Sequence, residues 1–295
     1  MSSTLNFPPH GLLNIDKPSA MSSRLVVTKL EGVLAPLAVG HAGTLDPLAT
    51  GVLVVCVGRA TKLVDYLHRF PKTYVATFLL GQASDTEDIT GEVEVIANSR
   101  RPSRAELEAA LPQFTGSLMQ QPPAFSALKV DGRRAYKMAR KGKTVALQPR
   151  PIIVHRFHIL RYEYPQLEVE IECGTGTYIR SLGRDLARAV GTEALMSQLR
   201  RTAIGPFAID AAISFEQVRG DNVESLLRPS LLAVDQMPQI VLDDEQMMAL
   251  QQTGVLFGLP QYPHPELAAL TPTGRLFAVL VSSKTDRWKV KTLLR

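Results

Sequence analysis

A chain of 295 residues is long enough for one large domain or two unequal ones. Its 45% hydrophobic and 21% charged residues exclude a disordered or fibrous protein. The formal net charge of +5 (33 Lys and Arg against 28 Asp and Glu) is too small to name an anionic partner by itself.

The opening MSSTLNFPPHG lacks the basic and apolar regions of a secretory leader. GLLNIDKP (11–18) predicts a short strand closed by Pro18, and SSRLVVTKLEGVL a helix capped by Ser22 or Ser23. VGHAGTLDPLATG (39–51) then reads as a loop of small residues holding one carboxylate, Asp46. Such a loop offers little to a core, so Asp46 is either a turn-forming residue or a carboxylate presented to something. VLVVCV (52–57) is the longest apolar run, far below the roughly 20 residues of a membrane span, and reads as a buried strand. ATKLVDYLHRF has helical spacing, and TYVATFLLG (73–81) is β-branched and aromatic enough for a strand. SDTEDITGE (84–92) lacks the ligand spacing and closing Glu of a calcium loop and reads as a surface turn. PSRAELEAALPQF carries a Ser103–Glu106 capping box before a short helix ending near Pro112.

From Gly132 to Tyr162 the chain has nine Lys or Arg and no Asp or Glu. A one-signed stretch of this kind fits a phosphate backbone, whereas a merely solvated face normally interleaves both signs. LEVEIEC (167–173) alternates apolar residues with glutamates, the signature of a half-buried strand. In GTGTYIRSLGRDLARAVG a glycine turn opens a helix whose apolar side carries Ile179, Leu182, Leu186 and Val190, with Arg180, Arg184 and Arg188 on a different face. Beyond Asp235, a capped helix (DDEQMMALQQTG) and the runs RLFAVLV and RWKVKTLLR predict a small β-rich appendage. Cys56 and Cys173 read as buried thiols of a reducing compartment, so a cytoplasmic location is expected. No phosphate loop, nucleophile elbow, dinucleotide fingerprint or zinc spacing is present.

Five segments in order, GLLNIDKP, GHAGTLDPLATGVLVVCVGRATKL, KTYVATFLLGQASDTEDITGE, PPAFSALKVDGRRAYKMARKG and IECGTGTYIRSLGRDLA, resemble the successive motifs of the TruB family of bacterial tRNA pseudouridine synthases, which act on uridine 55 of the T loop. The resemblance spans about residues 10–210 and is loose over the last sixty. It implies an α/β fold: a mixed, mostly antiparallel sheet flanked by helices at 10–232, with a basic insertion at about 122–150, and a small β-rich, PUA-like RNA-binding domain at 235–295. It implies isomerisation of uridine 55 by base flipping, with the T arm of tRNA as partner and no protein partner, membrane, cofactor or metal. Pseudouridylation moves the ribose bond from N1 to C5 of the same base. It is redox-neutral and asks for an anion beside the sugar or base.

By this resemblance the anion is Asp46, with attack at C1′, attack at C6 and assistance to loss of the 2′ proton all left open. Arg180 would pair with Asp46, and Tyr74 would stack on the extruded uracil with its hydroxyl near the departing proton. Tyr178 would frame the base, His41 would fill the space it vacates, Leu199 would line the pocket, and Lys17 would lie near the site. Arg133, Arg134, Lys137, Arg140, Lys141 and Lys143 would grip the RNA backbone, four of them (133, 137, 140, 141) along one side if the stretch is helical. Each residue also has an ordinary structural reading: a surface arginine, a core tyrosine or leucine, a loop histidine. The rival functions are a non-catalytic RNA-binding protein on the same scaffold and a guide-RNA-dependent synthase within a larger complex. A carboxylate facing a polyanion counts against the first, and an insertion suited to one free RNA arm against the second.

Overall fold

The structure, a computed structural model, describes residues 9–123, 125, 129–130, 133–134, 138, 147–259, 262–284 and 287–294. Strand β1 (Gly11–Lys17) leads to helix α1 (Ser23–Leu34), where the Ser22 hydroxyl accepts the Leu25 N–H at 3.1 Å. β2 (Val39–Ala42) and β3 (Thr50–Val57) follow. On β3, Val52, Val54 and Cys56 enter one core cluster and Leu53, Val55 and Val57 another. Both faces are therefore buried, which is why the run is continuously apolar. ATKLVDYLHRF departs from the expected helix: Gly58–Leu63 is a 3-10 segment, and α2 (Val64–Leu67) is a single turn. Its buried residues Ala60, Leu63 and Tyr66 recur every three positions, the period of the tighter helix.

β4 (Lys72–Leu80) is followed by the hairpin β5 (Gln82–Ser84) and β6 (Val93–Val95), then by α3 (Arg104–Ala110) behind its Ser103–Glu106 capping box. Next come β7 (Gly116–Gln120), the short pair β8 (Lys129–Val130) and β9 (Arg133–Arg134), β10 (Arg150–Glu163) and β11 (Gln166–Cys173). Helix α4 (Ile179–Ala189), β12 (Ala194–Ile204) and β13 (Phe207–Ala208) complete the larger unit. Its sheet runs β1-β3-β12-β4-β11-β10-β7, with β2 on β3 and β13 on β12. Every pairing is antiparallel except β12 with β3. Leu107, Ala110, Ile179, Leu182 and Leu186, from α3 and α4, cover one face of this sheet. A Cβ at Gly183 would sit 1.9 Å from the Phe78 ring, so only glycine lets α4 lie this close to β4.

A second sheet is built from β14 (Gln239–Val241), β15 (Val255–Phe257), β16 (Glu266–Leu270), β17 (Leu276–Lys284) and β18 (Arg287–Leu293), in the order β14-β16-β17-β18-β15. Helix α5 (Asp244–Thr253) precedes β15, capped by Asp243 and ended by left-handed Gly254 (φ 68°). Ala268, Leu270, Leu276, Val279 and Leu294 join Leu12, Val54 and Tyr66 of the larger unit in one core cluster. Among the described residues no helix is long and apolar enough to cross a membrane.

Two expectations need correction here. The basic stretch at 132–162 is not one surface: Arg150, Arg156 and Arg161 lie on β10. There Arg156 is paired with Glu170 (3.0 Å) and Glu172 (3.6 Å), and Arg161 with Glu163 (2.9 Å). Antiparallel pairing with the glutamate face of β11 neutralises Arg156, and a glutamate of its own strand neutralises Arg161. Second, Arg133 and Arg134 are extended and paired with Val130 and Lys129, so Arg133 does not share a helical stripe with 137, 140 and 141. Lys137, Arg140, Lys141 and Lys143 lie outside the described residues.

Candidate active site

Asp46 sits in the short connection from β2 to β3, and the chain on either side of it is clamped. The buried Ser23 hydroxyl accepts the Leu45 N–H at 2.8 Å and donates to the Leu45 carbonyl at 3.1 Å. The Asp46 carbonyl accepts the Ala49 N–H at 3.0 Å, closing a turn. Lys17 holds the other side. It is fully buried and donates to the carbonyls of Pro18 (2.7 Å), Met21 (2.6 Å) and Pro47 (3.5 Å). Burial pulls Lys17 down to about 8, against the opposing pull of Asp46. Lys17 does lie near the site, and with no exposed surface its contacts are to the backbone around Asp46.

The Asp46 side chain is 45% exposed, and its Oδ2 lies 3.1 Å from Nη2 of Arg180, whose side chain is 7% exposed. The contrast decides the roles, since the carboxylate is free to meet a ligand and the guanidinium is fixed beneath it. Arg180 is held from behind by Asp88 (3.3 Å), by the Thr86 carbonyl (2.6 Å) and by the Phe125 carbonyl (3.2 Å). Asp88 is itself buried, accepting from Thr86 Oγ1 (2.8 Å), Thr90 N–H (2.9 Å) and Thr90 Oγ1 (2.5 Å). SDTEDITGE is thus not simply a surface turn. Asp88 neutralises a buried arginine, and Glu87 binds Ser181 (2.7 Å) and Arg184 of α4.

These side chains border a cavity of about 270 Å³, whose walls include Gly43–Asp46, His68, Lys72, Tyr74, Arg150, Gly174–Arg180, Leu199 and Arg201. Sheet register assembles it: Tyr74 on β4 is opposite Arg201 on β12, Leu199 is opposite Ala76, and Arg201 is beside Gly51 of β3. Gly51 (φ 99°) is required there, because a Cβ would fall 2.2 Å from the Arg201 carbonyl. Tyr74 is half-buried, and burial raises its phenol above the ordinary value despite the opposing pull of Arg201. Its hydroxyl is protonated at neutral pH. Tyr178 is fixed through its backbone, its N–H donating to Gln120 Oε1 (2.8 Å) and its carbonyl accepting from Gln120 Nε2 (2.9 Å). Arg150 lies over the Tyr178 ring at 4.8 Å and donates to the Gly176 carbonyl. Lys72 donates to the carbonyls of His68 and Phe70, both at 2.6 Å, and burial lowers it to about 8.

Asp46, Tyr74, Arg180, Tyr178 and Leu199 thus meet at one cavity, and His41 is not among the described residues lining it. His41 lies on β2 opposite Val55, not in a loop, with a half-buried ring. Burial, then Arg201, holds its imidazole below the ordinary value, so it is neutral at pH 7. Sequence reasoning missed Asp88, Arg201, Lys72 and the cavity position of Arg150. Strand alternation carried a signal for two of them: Lys72 precedes Tyr74 by two residues, and Arg201 follows Leu199 by two. Nothing local distinguished Asp88 from its acidic neighbours.

A fixed carboxylate–arginine pair and a half-buried tyrosine line one cavity against this mixed sheet, and comparisons with known proteins say which class of enzyme carries this fold. The model of the TruB family pseudouridylate synthase N-terminal domain matches residues 32–179, and that of the tRNA pseudouridylate synthase B C-terminal domain matches 180–238. The chain is 39% identical over 252 residues to the tRNA pseudouridine synthase B of Syntrophobacter fumaroxidans, covering 84% of this chain and 82% of that protein. It is 42% identical over 246 residues to that of Ruegeria pomeroyi, covering 82% and 81%. A crystal structure of a Cbf5-Nop10-Gar1 complex holds a chain that superposes with a TM-score of 0.73 at 25% identity, covering 94% of this chain and 79% of that one. An H/ACA RNP bound to a substrate RNA containing 2′-deoxyuridine shares the fold, with a TM-score of 0.74 at 22% identity over 97% of this chain and 85% of that one. The protein belongs to the TruB family of pseudouridylate synthases. The second sheet, beginning at Gln239, lies beyond both matched family spans.

Proposed function

We propose that the protein converts uridine 55 in the T loop of tRNA to pseudouridine, acting in the cytoplasm on the T arm of a free tRNA without a protein partner. One observation carries the reading: a half-exposed carboxylate, Asp46, fixed 3.1 Å from a buried arginine in a cavity of about 270 Å³. That volume is below the roughly 300–1,000 Å³ of sites for drug-sized ligands and suits a single small ring. That its relatives bear the name tRNA pseudouridine synthase B supports tRNA as the substrate.

The chemistry asked of these residues is modest. The N1–C1′ bond breaks, the base turns in place, and C5 bonds to C1′. C5 then loses its proton and N1 gains one. Asp46 supplies the anion, and Arg180 holds it in register. Tyr74 offers a face to the uracil and a neutral hydroxyl at the cavity, while Tyr178 and Leu199 limit the space in which the base can turn. Extrusion of a stacked base costs a few kcal/mol. His41, neutral and close in sequence to the Asp46 loop, suits the role of a wedge that offsets part of this cost. Residues 10–232 act as the synthase unit, with the basic insertion at about 122–150 gripping the RNA arm, and 235–295 act as a small RNA-binding unit. The test is to incubate the purified protein with a uridine-containing tRNA transcript and map pseudouridine. Modification confined to position 55 is expected, and none at that position overturns the proposal.

A further inference from the structure

Arg201 is 1% exposed, yet no carboxylate forms an ion pair with it among the described residues, whereas its neighbour Arg200 is paired with Asp16 at 2.8 Å. A buried cation without a counter-ion is costly unless its N–H groups are satisfied. Here they meet three oxygens. Nε donates to the Val52 carbonyl at 2.7 Å, Nη2 to the Gly43 carbonyl at 2.8 Å, and Nη1 points to the Tyr74 hydroxyl at 3.5 Å. The two short bonds go to backbone on β3 and at the start of the Asp46 loop, so the guanidinium itself cannot wander. The long one reaches a side chain at the cavity, and polar contacts of this kind in an unliganded site commonly tighten only when substrate binds. The guanidinium also lies 5.9 Å from the centre of the Tyr74 ring, so it constrains the ring and the hydroxyl together.

An arginine has only donors, so at this contact the Tyr74 oxygen is the acceptor. The phenolic hydrogen is then turned away from the guanidinium. A rotor without Arg201 would have no such preference. We propose that Arg201 is a positioning residue for the isomerisation, acting through Tyr74: it fixes the ring and hydroxyl of the phenol at the cavity where the base is held. The inference rests on the functional reading above.

The test is a double-mutant cycle of Arg201→Lys and Tyr74→Phe, read as single-turnover pseudouridine formation at saturating tRNA, with Arg201→Met as a second variant. Lysine keeps the charge but lacks the planar fork that meets Val52, Gly43 and Tyr74 in fixed directions. In the wild-type background, either Arg201 variant should slow the single-turnover rate about tenfold or more with tRNA Kd unchanged, a residue acting through another being worth less than the roughly hundredfold or more of a proton-transfer group itself. In the Tyr74→Phe background the same change should cost less than about threefold, because interacting residues are not additive. Equal losses in the two backgrounds would overturn the inference, and so would loss of folded protein in both Arg201 variants, which would reduce Arg201 to a strut between β3 and the loop. Absence of pseudouridine in the wild-type reaction would instead bring down the functional reading, and this inference with it.

Discussion

Asp46 and Tyr74 make different demands on the same cavity, and their variants separate. Asp46→Asn removes one negative charge beside a polyanion while keeping the shape of the side chain. Isomerisation should stop, and tRNA affinity should hold or rise slightly. A single-turnover assay beside a binding titration checks both; turnover within about tenfold of wild type, about 1.4 kcal/mol of barrier, is too little for the nucleophile and would remove Asp46 from that role. Tyr74→Phe keeps the stacking face and loses only the hydroxyl. The variant should bind tRNA normally and turn over poorly. Near-normal turnover would leave Tyr74 as a stacking surface alone.

At the scale of an element, the basic insertion following Gln121 should supply affinity and not chemistry. Arg133, Arg134, Lys137, Arg140, Lys141 and Lys143 fall within eleven residues without an acid among them. Beyond them on β10, Arg156 and Arg161 face glutamates of β11 or of their own strand, while Arg150 lies over Tyr178 at the cavity. Each phosphate contact contributes about 0.7 to 0.9 to the slope of log affinity against log salt. Replacing Arg133, Lys137 and Arg140 with Gln should flatten that slope by roughly two and weaken binding at physiological salt. The rate at saturating tRNA should stay near wild type. An unchanged salt slope with a collapsed rate would instead make the segment a lid over the cavity.

For the whole molecule, the question is what holds the small sheet to the large one. Glu266, 9% exposed, binds Arg69 after α2 across the two units and Lys291 of β18 within the second sheet (2.6 Å), and one apolar seam is shared by both units. The hydrogen bond from Arg69 is the main cause that pulls the Glu266 carboxyl down to about 2 from an ordinary 4.5. A depressed carboxyl contributes its full stabilisation above the unfolded value and loses it as pH falls through the folded one. The latch should therefore be intact at neutral pH and weaken from about pH 4.5 towards 2. Glu266→Gln should cost about 2 kcal/mol at pH 7, the scale of hydrogen bonds to a charged group. Its unfolding midpoint should approach that of wild type as pH is lowered to 3. A gap that stays constant with pH would assign the loss to packing. His68 and Lys72, on the cavity wall, lie within three residues of Arg69, so the seam and the cavity share one segment of chain.

Local chemistry was enough to write most elements into the sequence. The alternation of LEVEIEC, the buried run of β3, the Ser103 capping box and the capped helix in DDEQMMALQQTG each depend on neighbours a few residues away, and each took its expected form. Asp46 stood out as a lone carboxylate in a loop of small residues, but the loop left a turn residue and a presented carboxylate equally open, and only the family resemblance chose between them. Asp88 and Arg201 were not. Their charges are cancelled or satisfied by Arg180, Gly43 and Val52, residues about ninety to one hundred and sixty positions away, and only strand register and the approach of α4 bring those partners within reach. The same holds in reverse for Arg156, whose charge looked free until β10 folded against the glutamates of β11. Periodicity and turn chemistry are properties of a segment. Which buried charge is neutralised, and by what, is settled only when distant strands choose their register.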